Sequence, residues 1–165
     1  VVDPVFAEPE GHDLTTYWLA ILGYTLQIYC DFSGYTDMAI GASKVLGIRL
    51  PLNFNKPYIA CNLQDFWHRW HITLSRWLRD YLYIPLGGNR CSKTRYLSNI
   101  IVTMALCGIW HGANWTFLLW GLLHGVGLMM LGAIKFSQTA TRMVELIPRP
   151  VKWLLTFGFL ALSEI

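Results

Sequence analysis

Residues 115–134, WTFLLWGLLHGVGLMMLGAI, contain no Asp, Glu, Lys or Arg. A helix needs about 20 predominantly apolar residues to cross the hydrocarbon core of a bilayer, and this run is long enough. Upstream, HGAN (111–114) separates it from LSNIIVTMALCGIW (97–110), which is apolar but short for a full span. A first apolar segment, LTTYWLAILGYTLQIYC (14–30), is close to spanning length, and a last one is still apolar where the chain stops at Ile165. The composition agrees: 54% hydrophobic residues, 14% charged and eight tryptophans are too apolar for an average soluble domain. These features predict an all-α, multi-pass transmembrane helical bundle.

The segments between the spans have their own character. VVDPVFAEPEGHD (1–13) is acidic, without Lys or Arg, and its two prolines predict an irregular loop. DFSGYTDMAIGASKVLGIRL (31–50) is mixed in polarity and interrupted by Gly34, Gly41 and Gly47, which reads as a separate short or tilted helix. PLNFNKPY reads as a loop, because Pro51 and Pro57 bias the residues before them away from helix. Lys135 to Lys152 reads as a polar, proline-containing linker. The chain begins at Val1 without a signal peptide and reads as a fragment, a single partial domain over residues 1–165 with further transmembrane helices expected on both sides.

Charge placement assigns sides. The net charge of +3 with no long basic run excludes a nucleic-acid footprint. The Lys and Arg residues fall between Lys44 and Arg95 and between Lys135 and Lys152, so the positive-inside rule puts both regions in the cytoplasm. The acidic loop then lies outside, and the two segments from Tyr96 to Ile134 make an excursion into the membrane that turns at HGAN. Cys30, Cys61, Cys91 and Cys107 show no CxxC spacing, so neither a disulfide framework nor a zinc ribbon follows.

Against this background QDFWHRWHITLSRWLRDYLYIPLGGNR (64–90) is unusual, with two histidines, four arginines and three tryptophans. At 100° per residue over Asp65–Tyr83, Trp67, Trp70, Leu74, Trp77, Leu78 and Tyr81 share one face. Arg69, Thr73, Arg76 and Asp80 fall opposite, with Arg76 and Asp80 spaced for an i,i+4 pair. The pattern predicts one interfacial amphipathic helix, tryptophans toward the acyl boundary and arginines toward water. His71 lies at the edge of the tryptophan face with Ser75 one turn later, and His68 projects to the polar side.

Each histidine has a functional and a plain reading. His71 is either an inward-facing active-site group or a core histidine satisfied by a carbonyl. His111, in CGIWHGANW, is a functional-site candidate because an ionisable group between apolar runs is costly to bury. It can also be packing glue across a helix interface. Gly108 and Gly112 would let a substrate or another helix come close to its ring. His124 reads as a packing residue and His68 as a solvated one. HRWH lacks an HExxH pattern or a carboxylate in register, which argues against a metal, and Ser75 sits in no GxSxG elbow. Asp31 and Asp37 either support an imidazole or line a cavity entrance, with helix capping by Asp31 or Ser33 as the simpler account.

Three long strings carry a resemblance: YTLQIYCDFSGYTDMAIGASKVLGIRLPLNFNKPY, DFWHRWHITLSRWLRDYLYIPLGGNR and GIWHGANWTFLLWGLLHG. From about Asp3 to Met130 the chain resembles the membrane-bound O-acyltransferase (MBOAT) family, in its bacterial alginate O-acetyltransferase-like branch. The resemblance implies a partial fold of that family, comprising its catalytic middle. It maps the histidine of the WHG motif to His111 and the second functional histidine to His71, both catalytic. Asp31, Asp37, Ser75 and Asn114 become candidate substrate-binding or supporting residues.

The implied activity is transfer of an acetyl or other acyl group to hydroxyls of an exported, alginate-like polysaccharide. The donor would be acetyl-CoA or another acyl thioester, with no bound cofactor and no metal. Implied surroundings are a bacterial inner membrane, a polysaccharide acceptor, and accessory periplasmic acetylation or polysaccharide-export proteins. The alternative is a subunit that translocates acyl groups to a separate periplasmic acetyltransferase.

Overall fold

In the computed structural model, which describes residues 2–7 and 11–164, several helices begin where a short polar side chain accepts a hydrogen bond from a first-turn amide. Asp13 accepts from Thr16 at 2.9 Å, Asn62 from Asp65 at 2.7 Å, Ser92 from Arg95 at 3.4 Å and Asn114 from Thr116 at 3.3 Å. The α-helices are α1 (Val2–Ala7), α2 (Leu14–Val45), α3 (Leu63–Arg69), α4 (Ile72–Leu78), α5 (Lys93–His111), α6 (Trp115–Ile134), α7 (Gln138–Leu146) and α8 (Arg149–Ser163). A 3-10 turn occupies Pro57–Ile59 and a π turn Arg79–Tyr83. No strand occurs among the described residues, in agreement with the all-α expectation. The chain divides into two compact units, residues up to Asn53 with those from Gly158 onward, and Phe54–Phe157.

The first unit corrects two expectations. Residues 2–7 of the acidic segment are helical rather than irregular, with Val5 buried and the Phe6 and Tyr24 rings 5.8 Å apart. Glu8 and Glu10 lie outside the described residues. The expected break after residue 30 is absent: α2 continues for 32 residues, about 48 Å at 1.5 Å per residue. An interior glycine costs a helix only about 1 kcal/mol relative to alanine, too little to stop one. The hydroxyls of Ser33, Thr36 and Ser43 donate back to carbonyls of the same helix, at 3.4, 2.9 and 2.9 Å, and so do not compete with it. The helix ends at Leu46, followed by Gly47 at φ 76°.

In the second unit α5 and α6 form a hairpin through the three residues 112–114, the turn expected at HGAN. Their contact is backbone on backbone. A methyl group placed on Gly108 would run into the carbonyl oxygen of Phe117, and one on Gly121 into that of Met104. Helices lacking side chains at the crossing approach this closely and gain dispersion contact along their length. On α6 the side toward α5 buries Gly121, His124, Gly125 and Gly132, whereas Trp115, Leu119, Leu123 and Met130 are exposed. α6 is the helix, among the described residues, both long and apolar enough to cross a membrane. α5 is longer than its apolar run, because the capped first turn adds Lys93 and Arg95.

The interfacial segment is not one helix. α3 ends at Arg69, Trp70 is extended, and His71 takes the left-handed conformation at φ 42°, ψ 55° before α4 begins. The wheel therefore holds only piecewise: Trp67, Trp70, Leu74 and Leu78 are buried, but Trp77 and Tyr81 are 54% and 70% exposed. The expected Arg76–Asp80 pair is replaced by Arg79–Asp80 at 2.7 Å, since the π turn rotates Asp80 away from the α-helical register. Arg69 pairs instead with Asp65, one turn earlier, at 2.8 Å. The supposed linker 135–152 also contains regular structure, α7 and the start of α8. Ser137 supplies a cap for α7 that accepts from Ala140 at 3.3 Å.

Asn99 ties the turn after the π segment to α5. Its buried amide donates to the carbonyls of Leu86 at 3.1 Å and Gly88 at 3.3 Å. Alanine at this position removes one donor from each carbonyl, while Leu86 keeps the Arg95 guanidinium at 3.0 Å and Gly88 the Cys91 thiol at 3.3 Å. A stability loss of about 0.5–1.5 kcal/mol is expected, read from thermal unfolding of the full-length chain in detergent. An unchanged midpoint would show that these remaining donors suffice.

Candidate active site

His71 and His111 converge from different elements of the second unit. His111 is the last residue of α5, and Gly112 then carries the chain away in extended backbone at φ 164°. Its exposed imidazole stands edge-on to Trp110 and Trp120, with centroids 5.0 and 5.3 Å away. His71 also stands edge-on to Trp110, with centroids 6.3 Å apart. It lies close enough that positive charge on His111 disfavours charge on His71. Burial is the larger cause, and together the two lower the His71 pKa and keep its ring neutral.

The left-handed backbone at His71 is costly for a side chain that carries a Cβ, of order 1–3 kcal/mol. The surroundings hold it there. The Ser75 amide donates to the His71 carbonyl at 2.9 Å, and the Ser75 hydroxyl donates to the Trp70 carbonyl at 3.2 Å. Ser75 thus braces the break between α3 and α4, a task that a continuous helical wheel cannot reveal. Phe54, Tyr58 and Phe66 pack on Trp70 from its other sides, at 5.0, 6.0 and 5.5 Å.

The other candidates take distinct places. Asn114 caps α6 and so fixes the turn that follows His111. Asp31 and Asp37 are exposed residues in the interior of α2, in the first unit, and neither they nor Ser33 cap a helix. His124 is 1% exposed, between Trp120 at 4.8 Å and Trp67 at 5.5 Å, a packing position as expected. Gly108 and Gly112 make room for α6 rather than for the His111 ring: a methyl on Gly112 would stand 2.6 Å from the Phe117 ring. Among the described residues no three His, Cys, Asp or Glu side chains gather as metal ligands. A cavity of about 460 Å³ opens nearby, lined by Ser75 and by His68, which is exposed as its place on the polar side of the segment predicts. His71 and His111 are not part of its lining.

An exposed histidine at the end of a helix pair closed by glycine contacts, and a half-buried one in left-handed backbone between α3 and α4, thus stand beside the same tryptophan. The profile of the membrane-bound O-acyltransferase family, MBOAT, matches residues 12–162. The chain belongs to this membrane-bound family. It is similar to the peptidoglycan O-acetyltransferase of Helicobacter pylori, with 51% identity over 148 residues, 90% of this chain and 28% of that protein. The probable alginate O-acetylase AlgI of Pseudomonas aeruginosa is 51% identical over 140 residues, 85% of this chain and 26% of that protein. The teichoic acid D-alanyltransferase of Bacillus subtilis is 41% identical over 115 residues, 66% and 29% of the two chains. The chain thus spans less than a third of the length of these curated relatives.

Proposed function

We propose that the whole protein is a multi-pass inner-membrane O-acyltransferase that moves an acetyl or other acyl group from a thioester to hydroxyls of an exported polysaccharide. The observation that carries this reading is the convergence of His111 with a backbone-strained, neutral His71 in a chain of this family. His111 accepts the proton of the acceptor hydroxyl as its oxygen attacks the thioester carbonyl. The C–O bond forms, the C–S bond breaks, and the proton held on His111 passes to the departing thiolate. His71 contributes beside Trp110 by orienting the donor or by donating to the developing oxyanion. Acetyl-CoA or a related thioester is the donor, and accessory periplasmic or export proteins present the acceptor.

The test uses the full-length protein in vesicles, with an acetyl-labelled thioester on one side and a soluble polysaccharide as acceptor. The expected product is a base-labile ester on the polysaccharide. Because burial and the neighbouring His111 both lower the His71 pKa, its neutral form persists as the pH falls. Any loss of rate that comes from charging His71 should accordingly set in below the usual histidine value of about 6.5, whereas the acid limb itself reports the base, His111. Label that crosses the membrane without forming ester would make the chain a translocating subunit and overturn the proposal.

A further inference from the structure

The cavity beside the site has neither His71 nor His111 in its lining. Its lining includes four basic residues, His68, Arg76, Arg79 and Lys135, and no carboxylate. Arg79 is engaged by Asp80 at 2.7 Å, and the same carboxylate also attracts Arg76, but neither Arg76 nor Lys135 has a carboxylate within 4 Å among the described residues. The Lys135 ammonium donates only to the neutral amide of Gln64, at 2.9 Å, which leaves its charge uncompensated. Away from the cations the walls are Ile100 and Met104 of α5 and Leu128 and Leu131 of α6.

These residues are ordered along the membrane helix. Lys135 closes α6 at its C-terminal end, and Leu131 and Leu128 follow about 6 and 10 Å further in, at 1.5 Å per residue. The cavity therefore runs from a basic mouth at the end of the apolar helix to an apolar floor alongside it. Trp67 adds an aromatic side chain to the wall beside them.

The geometry points to a binding site for an anionic membrane phospholipid. Its phosphate would lie between Arg76 and Lys135, and an acyl chain would run along Ile100, Met104, Leu128 and Leu131. Charge complementarity selects an anionic over a zwitterionic headgroup. The position of the cations at the end of α6 selects a membrane lipid over a soluble anion, because the tail then remains in the apolar layer. A volume of about 460 Å³ falls in the range of ordinary ligand pockets. Ser75 belongs both to this lining and to the brace of His71, but lipid retention and ester formation are separate readouts, so failure of either reading leaves the other standing.

The test is native mass spectrometry of the full-length protein in detergent with phosphatidylglycerol or phosphatidylcholine of matched chains. Phosphatidylglycerol should be retained preferentially, and retention should fall about fivefold for each charge removed in Arg76→Gln and Lys135→Gln. Arg76→Lys should keep most of it. Leu131→Trp, which fills the apolar end without altering charge, should weaken both lipids. Equal retention of the two lipids, or no loss in the double Gln variant, would overturn the assignment. Displacement of phosphatidylglycerol by coenzyme A would overturn it as well, by giving the cations to a soluble phosphorylated ligand.

Discussion

His111→Ala in the full-length protein is expected to lower acyl transfer by about 10²- to 10⁴-fold, the usual worth of a positioned general base, while leaving the fold intact. Both halves of that expectation come from the position of the residue. His111 is the exposed last residue of α5, where alanine leaves no cavity and helix propensity improves slightly. The thermal midpoint should stay close to wild type, and the loss should appear in product formation. His124→Ala makes the opposite contrast. That side chain is buried between Trp67 and Trp120, so its removal should cost stability by about 2–4 kcal/mol through the void it leaves. Normal ester formation by His111→Ala would remove this residue from the chemistry.

Gly121→Ala should destabilise the protein by about 1–3 kcal/mol, the range for an overfilled contact, although alanine is the better helix former by about 1 kcal/mol. The obstacle is the carbonyl of Met104, with the Cα of Gly108 at 3.1 Å beyond it. Neither is a side chain that can turn aside, so the hairpin itself has to open. The same exchange at Gly41 meets nothing within 4 Å among the described residues and should be neutral or slightly stabilising. Paired thermal unfolding of the two variants separates helix propensity from helix contact. Equal shifts of the same sign would show that the crossing of α5 and α6 is looser than described.

The parts of the fold that the sequence discloses are those governed by composition over many residues. The apolar run 115–134 coincides with α6, and HGAN is the turn before it. What escapes is decided by single residues. One left-handed residue at His71 resets the phase of the helix, but the hydrophobic residues on both sides still recur at helical spacing, so a wheel drawn through the break looks continuous. It places Trp77 and Tyr81 on a buried face they do not share. The glycines of α2 mislead in the other direction, because Gly34 and Gly41 suggest interruption where the backbone bonds simply continue. The pairing of His71 with His111 was legible only through the resemblance of two motifs 40 residues apart, since no local pattern encodes their convergence. The sequence places Ser75 one turn after His71 on a continuous helix, and its bracing role depends on a break that the pattern hides.

The division of the interfacial segment into α3 and α4 also bears on how the protein is made. α3 has seven residues, and α4 with the π turn that continues it twelve, no more than the about 12–15 that an isolated helix needs to be even marginally stable in water. Part of their support precedes them, in Phe54 and Tyr58 on Trp70, and part comes from chain that follows: Trp67 rests on Trp120 and His124 of α6. Emerging from the ribosome, the His71 segment thus precedes part of the surface that shapes it and has to wait, unfolded or loosely held at the lipid surface, until α5 and α6 have paired. Chain order and assembly order run opposite to each other here, so the site is completed only once the hairpin is in place.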